Sequence, residues 1–365
     1  MQFAHRPDEA AAPGSTGETK PRVVVAVDLP ETLCQRIEQA ESRVEVIRDH
    51  SLYRPRRGPA DWPGDPGHHR TEAQQQAYRD MVDSADVLFS LPDDDAAEFA
   101  RTVRANPRLR WAQAMAAGGG AKVRAADLTT EELERVTITT TAGVHGSPLA
   151  EFAVFGVLAG AKTLPHLQQL QRAHEWGERW EMKQVDEMSV LIVGLGGIGA
   201  TCAQKFSALG TRVLGTTRSG HSVEHVDELV PIEDLAEAVA GVDAVVVTLP
   251  GTDATQGLLG PEMFAAMRPG TTVVNVGRGT VIDEKALVSA LETGQVGFAA
   301  LDVTAMEPLP AASPLWTYPN VVISPHTAAL SSKEEARIAD LFIDNLSRHL
   351  DGRPMRNVVD TVEFY

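Results

Sequence analysis

Two α/β domains, each built on a doubly wound parallel sheet, are expected from this chain, and three observations support that. Its 365 residues suffice for two cores of ordinary size. Short, almost uninterrupted β-branched runs alternate with stretches of helical spacing. In mid-chain, Val190-Leu191-Ile192-Val193 runs into a glycine-rich turn and then a helix, a second α/β beginning well separated from the first.

In chain order, residues 1–22 are rich in Ala, Pro, Gly, Ser and Glu and lack the apolar core of a secretion signal, so a disordered tail is expected there. Strands follow at 23–27, 44–47, 86–89, 109–113 and 136–140. The stretch 53–70, dense in Pro, Gly, Asp and His, is expected to be a long surface loop, with helical spacing resuming near Thr71. A helix over 147–176 has a first half that is apolar on nearly every side, which suits a helix buried all round or pressed on one face against a partner subunit. Strand–helix units then run from Ser189 to about Ile323, and a last helix over 333–350 is expected to return to the first domain. The expected division is 23–146 plus 326–365 for the first domain and 147–325 for the second.

Composition narrows the class. The chain is 43% hydrophobic and 23% charged, as soluble globular proteins are. A net charge of −17 disfavours nucleic acid and anionic membranes, while a local arginine can still hold an anionic substrate. No apolar run approaches a membrane span. The two cysteines, Cys34 and Cys202, are too few for a disulfide framework and lack metal-ligand spacing, so no metal is expected, and the location expected is cytoplasmic.

The turn Gly194-Leu195-Gly196-Gly197-Ile198-Gly199 has the form of a dinucleotide fingerprint. Gly194 permits the tight turn, Gly196 admits a pyrophosphate, and Gly199 lets helix and strand pack closely. The amides that open the helix then face the phosphates. At the end of the next strand, enzymes selecting NAD place an acidic residue against the ribose hydroxyls. Here the chain reads Thr216-Thr217-Arg218-Ser219. Arg218 can pair with the additional phosphate of NADP, and Thr217 and Ser219 can donate to it, so NADP(H) is the cofactor expected to be preferred, with NAD(H) possible. The competing reading is a solvated surface arginine and less selective binding of NAD.

Three further residues stand out, two of them at strand exits, the edge that faces the ligand crevice in open α/β sheets. Arg278 lies between Gly277 and Gly279 after the run Val273-Val274-Asn275-Val276, where a guanidinium can grip a carboxylate through two parallel hydrogen bonds. His326 follows Val321-Val322-Ile323, and Glu307 lies in the proline-rich loop before it. A carboxylate beside an imidazole favours its protonated form, as proton donation to a keto oxygen requires. Together the three suit hydride transfer to a 2-keto acid.

With these residues in place the chain resembles the D-isomer-specific 2-hydroxyacid dehydrogenases, and in particular their glyoxylate/hydroxypyruvate reductase-like branch. The likeness covers nearly everything after Val23. It implies a dinucleotide-binding Rossmann domain inserted into a flavodoxin-like substrate domain, and a homodimer. It also implies that Arg278, Glu307 and His326 are catalytic. Cofactor contacts are implied for Gly194, Gly196, Gly197, Ile198, Gly199, Thr217, Arg218, Ser219, Pro250, Thr255, Val276, Gly277, Arg278, Asp302, His326 and Ala328, with Asp302 beside the nicotinamide carboxamide. Backbone amides at Ala117 and Gly118 would hold the substrate carboxylate, in a loop where Gly120 replaces the usual acidic residue. A different class stays open: a dinucleotide-sensing scaffold of the corepressor type, with the same fold, acting through protein partners.

The remaining candidates carry weaker expectations. His68, His69, His221 and His225 read as solvated loop residues, and Asp93-Asp94-Asp95 as a helix N-terminus rather than a metal site. His145 fits packing or substrate contact near the hinge. Loops near Leu91, Met115 and Trp316 are expected to shape the substrate pocket.

Overall fold

The computed structural model describes residues 20–217 and 220–361. The first sheet contains β1 (Arg22–Val25), β2 (Glu45–Ile47), β3 (Val87–Phe89), β4 (Trp111–Gln113) and β5 (Thr137–Thr139). Its helices are α1 (Glu31–Ala40), α2 (Glu72–Val82), α3 (Ala96–Ala105), α4 (Gly120–Ala125) and α5 (Thr130–Arg135). The strand order β2-β1-β3-β4-β5 is the flavodoxin-like arrangement. Most of the expected tail lies outside the described residues, and Arg22 itself belongs to β1.

Two helices follow, α6 (Gly146–Ala161) and α7 (Leu164–Ala173). The single helix expected over 147–176 is therefore broken. Thr163 adopts a left-handed conformation at φ 49°, and Pro165 in the first turn of α7 cannot continue the hydrogen-bond ladder of the helix before it.

The second sheet comprises β6 (Ser189–Val193), β7 (Arg212–Thr216), β8 (Glu228–Val230), β9 (Ala244–Val247), β10 (Thr271–Asn275), β11 (Val296–Leu301) and β12 (Val321–Ile323). Helices α8 (Gly197–Ala208), α9 (Leu235–Ala240), α10 (Pro261–Ala266) and α11 (Glu284–Glu292) connect them. The order β12-β11-β10-β9-β6-β7-β8 reverses direction at β6, the Rossmann switch point. Every ladder between the named strands is parallel.

Both sheets are covered on both faces, and alternate residues of each strand feed different cores. Leu191 and Val193 join one cluster with Val245 and Val273, whereas Val190 and Ile192 join another with Val246 and Val274. In the first sheet Val24 and Leu88 face one way, and Val23, Val25 and Phe89 the other. The second of those faces is closed by α12 (Glu334–Leu350), which inserts Ile338, Phe342 and Leu346. Phe342 stacks on Trp111 with ring centres 4.7 Å apart and meets Phe89 edge-on at 5.0 Å.

The chain passes between the two sheets through the starts of α6 and α12. His145, directly before α6, sets Nε2 2.9 Å from Oε1 of Glu334, the first residue of α12, with only 13% and 5% of these side chains exposed. The two crossings are thus tied together by a nearly buried pair. Among the described residues no helix is long and apolar enough to cross a membrane.

Candidate active site

The glycine turn occupies the β6–α8 junction. Gly194 takes φ +107°, a conformation that side chains rarely adopt, and its amide donates to Thr216 Oγ1 at 3.0 Å while Thr248 Oγ1 donates to its carbonyl. A Cβ on Gly199 would collide with the Gly194 carbonyl, so the helix can approach the turn only without a side chain there. On Gly196 a Cβ would meet nothing within 4 Å, which leaves that backbone open toward the crevice. The amides that open α8 at Gly197, Ile198 and Gly199 sit at the positive end of its dipole. At the end of β7, Thr217 is half-buried, whereas Arg218 and Ser219 lie outside the described residues.

The neighbouring strand exits supply the rest of the crevice wall. Thr255 Oγ1 donates to Pro250 O at 2.7 Å and accepts from Thr252 N at 2.9 Å, which fixes the loop after β9. Val276 is buried, and a side chain on Gly277 would come within 2.5 Å of Leu249 O, so these two strand exits pack directly together.

Arg278, Glu307 and His326 line one cavity of about 340 Å³, together with Gly251, Thr280 and Thr304. Glu307 Oε2 lies 2.7 Å from His326 Nδ1, and its Oε1 accepts from Thr304 N at 3.2 Å. The pairing expected between carboxylate and imidazole is present, and it leaves Nε2 of His326 free of this contact. His326 holds a left-handed backbone, φ 54°, its amide shared between Asp302 O and Ser324 O at 2.9 Å each. Below it, Asp302 is almost wholly buried, and Oδ1 accepts from the amides of Thr327 and Ala328 at 3.0 and 2.9 Å. Its Oδ2 is buried with no hydrogen-bond partner among the described residues.

The first sheet meets this wall through the loop after β4. A Cβ on Gly118 would lie 3.0 Å from Nη2 of Arg278, so the Ala117–Gly118 turn faces the guanidinium across the crevice. Arg278 Nη1 donates to Gly277 O at 2.9 Å, which steadies the side chain. This juxtaposition joins residues far apart in sequence and carries no local signal.

Other candidates fall elsewhere. The side chains of Leu91 and Met115 are buried in the two cores of the first sheet. Trp316 is half-exposed and donates from Nε1 to Pro310 O at 3.0 Å, bracing the loop that carries Glu307. Of the three aspartates only Asp95 caps a helix, accepting from Glu98 N at 2.9 Å. Asp93 is buried against Arg70 at 2.7 Å, and Asp94 pairs with Lys122. Burial raises the Asp94 carboxyl above the usual range, with Lys122 opposing the shift. His145 contacts Glu334 at the crossing between the two sheets.

Residues 154–328 match the family model for the D-isomer specific 2-hydroxyacid dehydrogenase, NAD binding domain. The chain is 34% identical over 217 residues to glyoxylate/hydroxypyruvate reductase A of Serratia proteamaculans, covering 60% of this chain and 68% of that one. The chain belongs to the D-isomer-specific 2-hydroxyacid dehydrogenase family. It is accordingly an oxidoreductase in class. Solved structures agree along nearly the whole length. The family member from Xanthobacter autotrophicus Py2, in complex with NADPH and MES, superposes with a TM-score of 0.74 at 29% identity, over 95% of this chain and 100% of that one. A probable 2-hydroxyacid dehydrogenase from Rhizobium etli, in complex with NADP, HEPES and L(+)-tartaric acid, gives 0.70 at 25% identity, over 95% and 100%.

Gly199→Ala tests the junction. The added methyl forces β6 and α8 apart, and dinucleotide affinity measured by fluorescence titration is expected to fall at least about tenfold, with overpacking destabilising the fold by about 1–3 kcal/mol.

Proposed function

We propose that this chain reduces a small 2-keto acid to the D-2-hydroxy acid with NADP(H) as the preferred coenzyme. The observation that carries the proposal is the convergence of Arg278, Glu307 and His326 on one cavity facing the Gly118 turn. In this reading residues 147–325 form the dinucleotide unit and residues 23–146 with 326–365 the substrate unit. The enzyme names of the relatives favour a reductase over a scaffold acting through protein partners. Low cysteine use, with both thiols buried, supports a cytoplasmic location.

The residues present fit a nicotinamide dinucleotide. Gly196 offers open backbone and α8 its amides for the pyrophosphate, and Oδ2 of Asp302 is a buried acceptor suited to a carboxamide N–H. When bound, the reduced nicotinamide supplies the hydride. Arg278 grips the substrate carboxylate and polarises the keto group, with the amides at Ala117 and Gly118 closing around the same anion. Glu307 holds the Nδ1 proton of the imidazolium, which sets the ring so that its Nε2 proton points to the keto oxygen and passes to it as the carbon is reduced. Closure of the two units around the substrate excludes water from that step.

Preference for the phosphorylated coenzyme is supported by the lack of a carboxylate at the end of β7 and by Arg218 next to Thr217, and the two solved relatives are complexes with NADPH and NADP. A panel of glyoxylate, hydroxypyruvate and phenylpyruvate, read by loss of NADPH or NADH absorbance, tests both halves of the proposal. Turnover with NADPH at about 10–100 times the efficiency of NADH is expected, the worth of one charge-assisted contact. No turnover of any 2-keto acid with either coenzyme rejects the reading.

The active form is a homodimer in this proposal. Helix α6 buries one face, with Leu149, Ala153 and Val157, but leaves Phe155 outward. Helix α7 has no fully buried residue, and Leu167 and Trp176 stand exposed in the same stretch. Light scattering after gel filtration is expected to report twice the mass of the chain, and a pair of charges at Phe155 and Leu167 to halve it.

A further inference from the structure

A second cluster of chemistry-bearing side chains lies at the carboxyl edge of the first sheet, around the adjacent strands β1 and β2. Asp28 follows β1, Glu31 and Cys34 share one face of the first turns of α1, and His50 opens the turn after β2. Glu31, Cys34 and His50 each present one ligand atom, and these atoms all lie within 4.8 Å of one another. Sequence spacing hid the set because its histidine comes from a different strand exit than its thiol.

The imidazole of His50 stands between two carboxylates. Nδ1 is 3.4 Å from Asp28 Oδ1 and Nε2 is 3.2 Å from Glu31 Oε2. A neutral ring carries one proton and satisfies one of them. With that proton on Nδ1, toward Asp28, the Nε2 lone pair faces the Glu31 oxygen and calls for a positive charge between them. Tyr53 meets the ring edge-on at 5.5 Å and is itself held by a 2.7 Å bond from its hydroxyl to Val25 O, so the ring orientation is fixed. Arg48 bridges Glu31 and Glu38 at 2.7 and 3.1 Å and offsets one of the three carboxylates, Asp28, Glu31 and Glu38. The cluster keeps two net negative charges while imidazole and thiol are neutral.

We propose that Glu31 Oε2, Cys34 Sγ and His50 Nε2 form a binding site for one zinc-class divalent cation, with Asp28 orienting the imidazole through Nδ1. A nitrogen, a sulfur and an oxygen suit a borderline-soft cation, zinc above calcium or magnesium, with water in the fourth position. Asp28 stands where a carboxylate commonly supports a ligating histidine. Arg48 keeps its 2.7 Å hold on Glu31 Oε1 and releases its 3.1 Å bond from Nε to Oε2 when that oxygen turns to the metal. The buried Cys34 thiol, which donates to Leu29 O at 3.7 Å, gives up that bond and releases its proton as the metal–sulfur bond forms. The ion clips α1 to the end of β2 and takes no part in hydride transfer.

The test uses the full chain stripped with EDTA and titrated with zinc chloride by calorimetry, with cobalt as a spectroscopic probe of thiolate ligation. One ion per chain is expected, with a sulfur-to-cobalt charge-transfer band. Cys34→Ser removes the band. His50→Gln, at an exposed position that disturbs no core, weakens zinc binding at least about tenfold and leaves keto-acid reduction unchanged, and Asp28→Asn weakens it about 10–100-fold. No stoichiometric binding, or binding unaltered in the His50 and Asp28 variants, overturns the proposal.

Discussion

His326→Ala is expected to lower the turnover of 2-keto acids by about 10²–10⁴-fold while dinucleotide affinity stays within about twofold. The reasoning is local. The side chain is 45% exposed, so its removal opens no cavity in a core. Its backbone amide, shared between Asp302 O and Ser324 O, is retained by any residue at this position, and with it the loop above Asp302. What disappears is the one proton donor that Glu307 orients into the cavity. His326→Asn, which tolerates the left-handed backbone well, should behave the same way and separates proton transfer from backbone strain. Glu307→Gln should fall between the variants and the native enzyme, since an amide oxygen still accepts from Nδ1 but no longer stabilises a charged ring. Measuring coenzyme binding by fluorescence and turnover by absorbance on the same preparations decides the matter; full turnover without the imidazole would remove His326 from the mechanism.

Arg278→Gln should cut kcat/KM for keto acids by about 10²–10³-fold, the usual worth of a preorganised group aimed at developing negative charge. Arg278 is exposed to the crevice, and among the described residues its side chain donates only to its own neighbour Gly277, so neither strand depends on it. The loss should appear chiefly in KM for the keto acid and in kcat, with little change in the Michaelis constant for the coenzyme. Arg278→Lys should recover only part of the activity. An ammonium keeps the charge but has no planar fork to match a carboxylate held against the Gly118 turn. Equal activity in all three proteins would show that the substrate carboxylate is held elsewhere.

How much of this could be read beforehand depended on the range of the interaction. The strands were legible because burial on both faces leaves continuous β-branched runs such as Val190-Leu191-Ile192-Val193, and the two cores accept them alternately. The glycine turn was legible because its backbone demands are local: a positive φ at Gly194 and a forbidden Cβ at Gly199. The Glu307–His326 contact followed from residue chemistry once both were placed at one sheet edge. The break at Thr163 was missed because apolar spacing continues across it, although Pro165 marked it. That the side chains of Leu91 and Met115 turn into cores is a choice made by packing and leaves no local mark. The approach of Gly118 to Arg278, the His145–Glu334 tie and the burial of Asp93 against Arg70 are long-range and leave no periodic trace.

The way α12 closes the first sheet has a consequence for biosynthesis. A ribosome releases β1 through β5 first, then the whole second sheet, and only afterwards the helix that carries Ile338, Phe342 and Leu346. Until then Phe89 and Trp111 lack the ring that packs between them, and the earliest part of the nascent polypeptide waits with one apolar flank uncovered. The inserted unit, whose two cores come almost entirely from its own residues, can mature during that interval. The half of the enzyme made first is therefore the half completed last, and it is the half on which a chaperone would act.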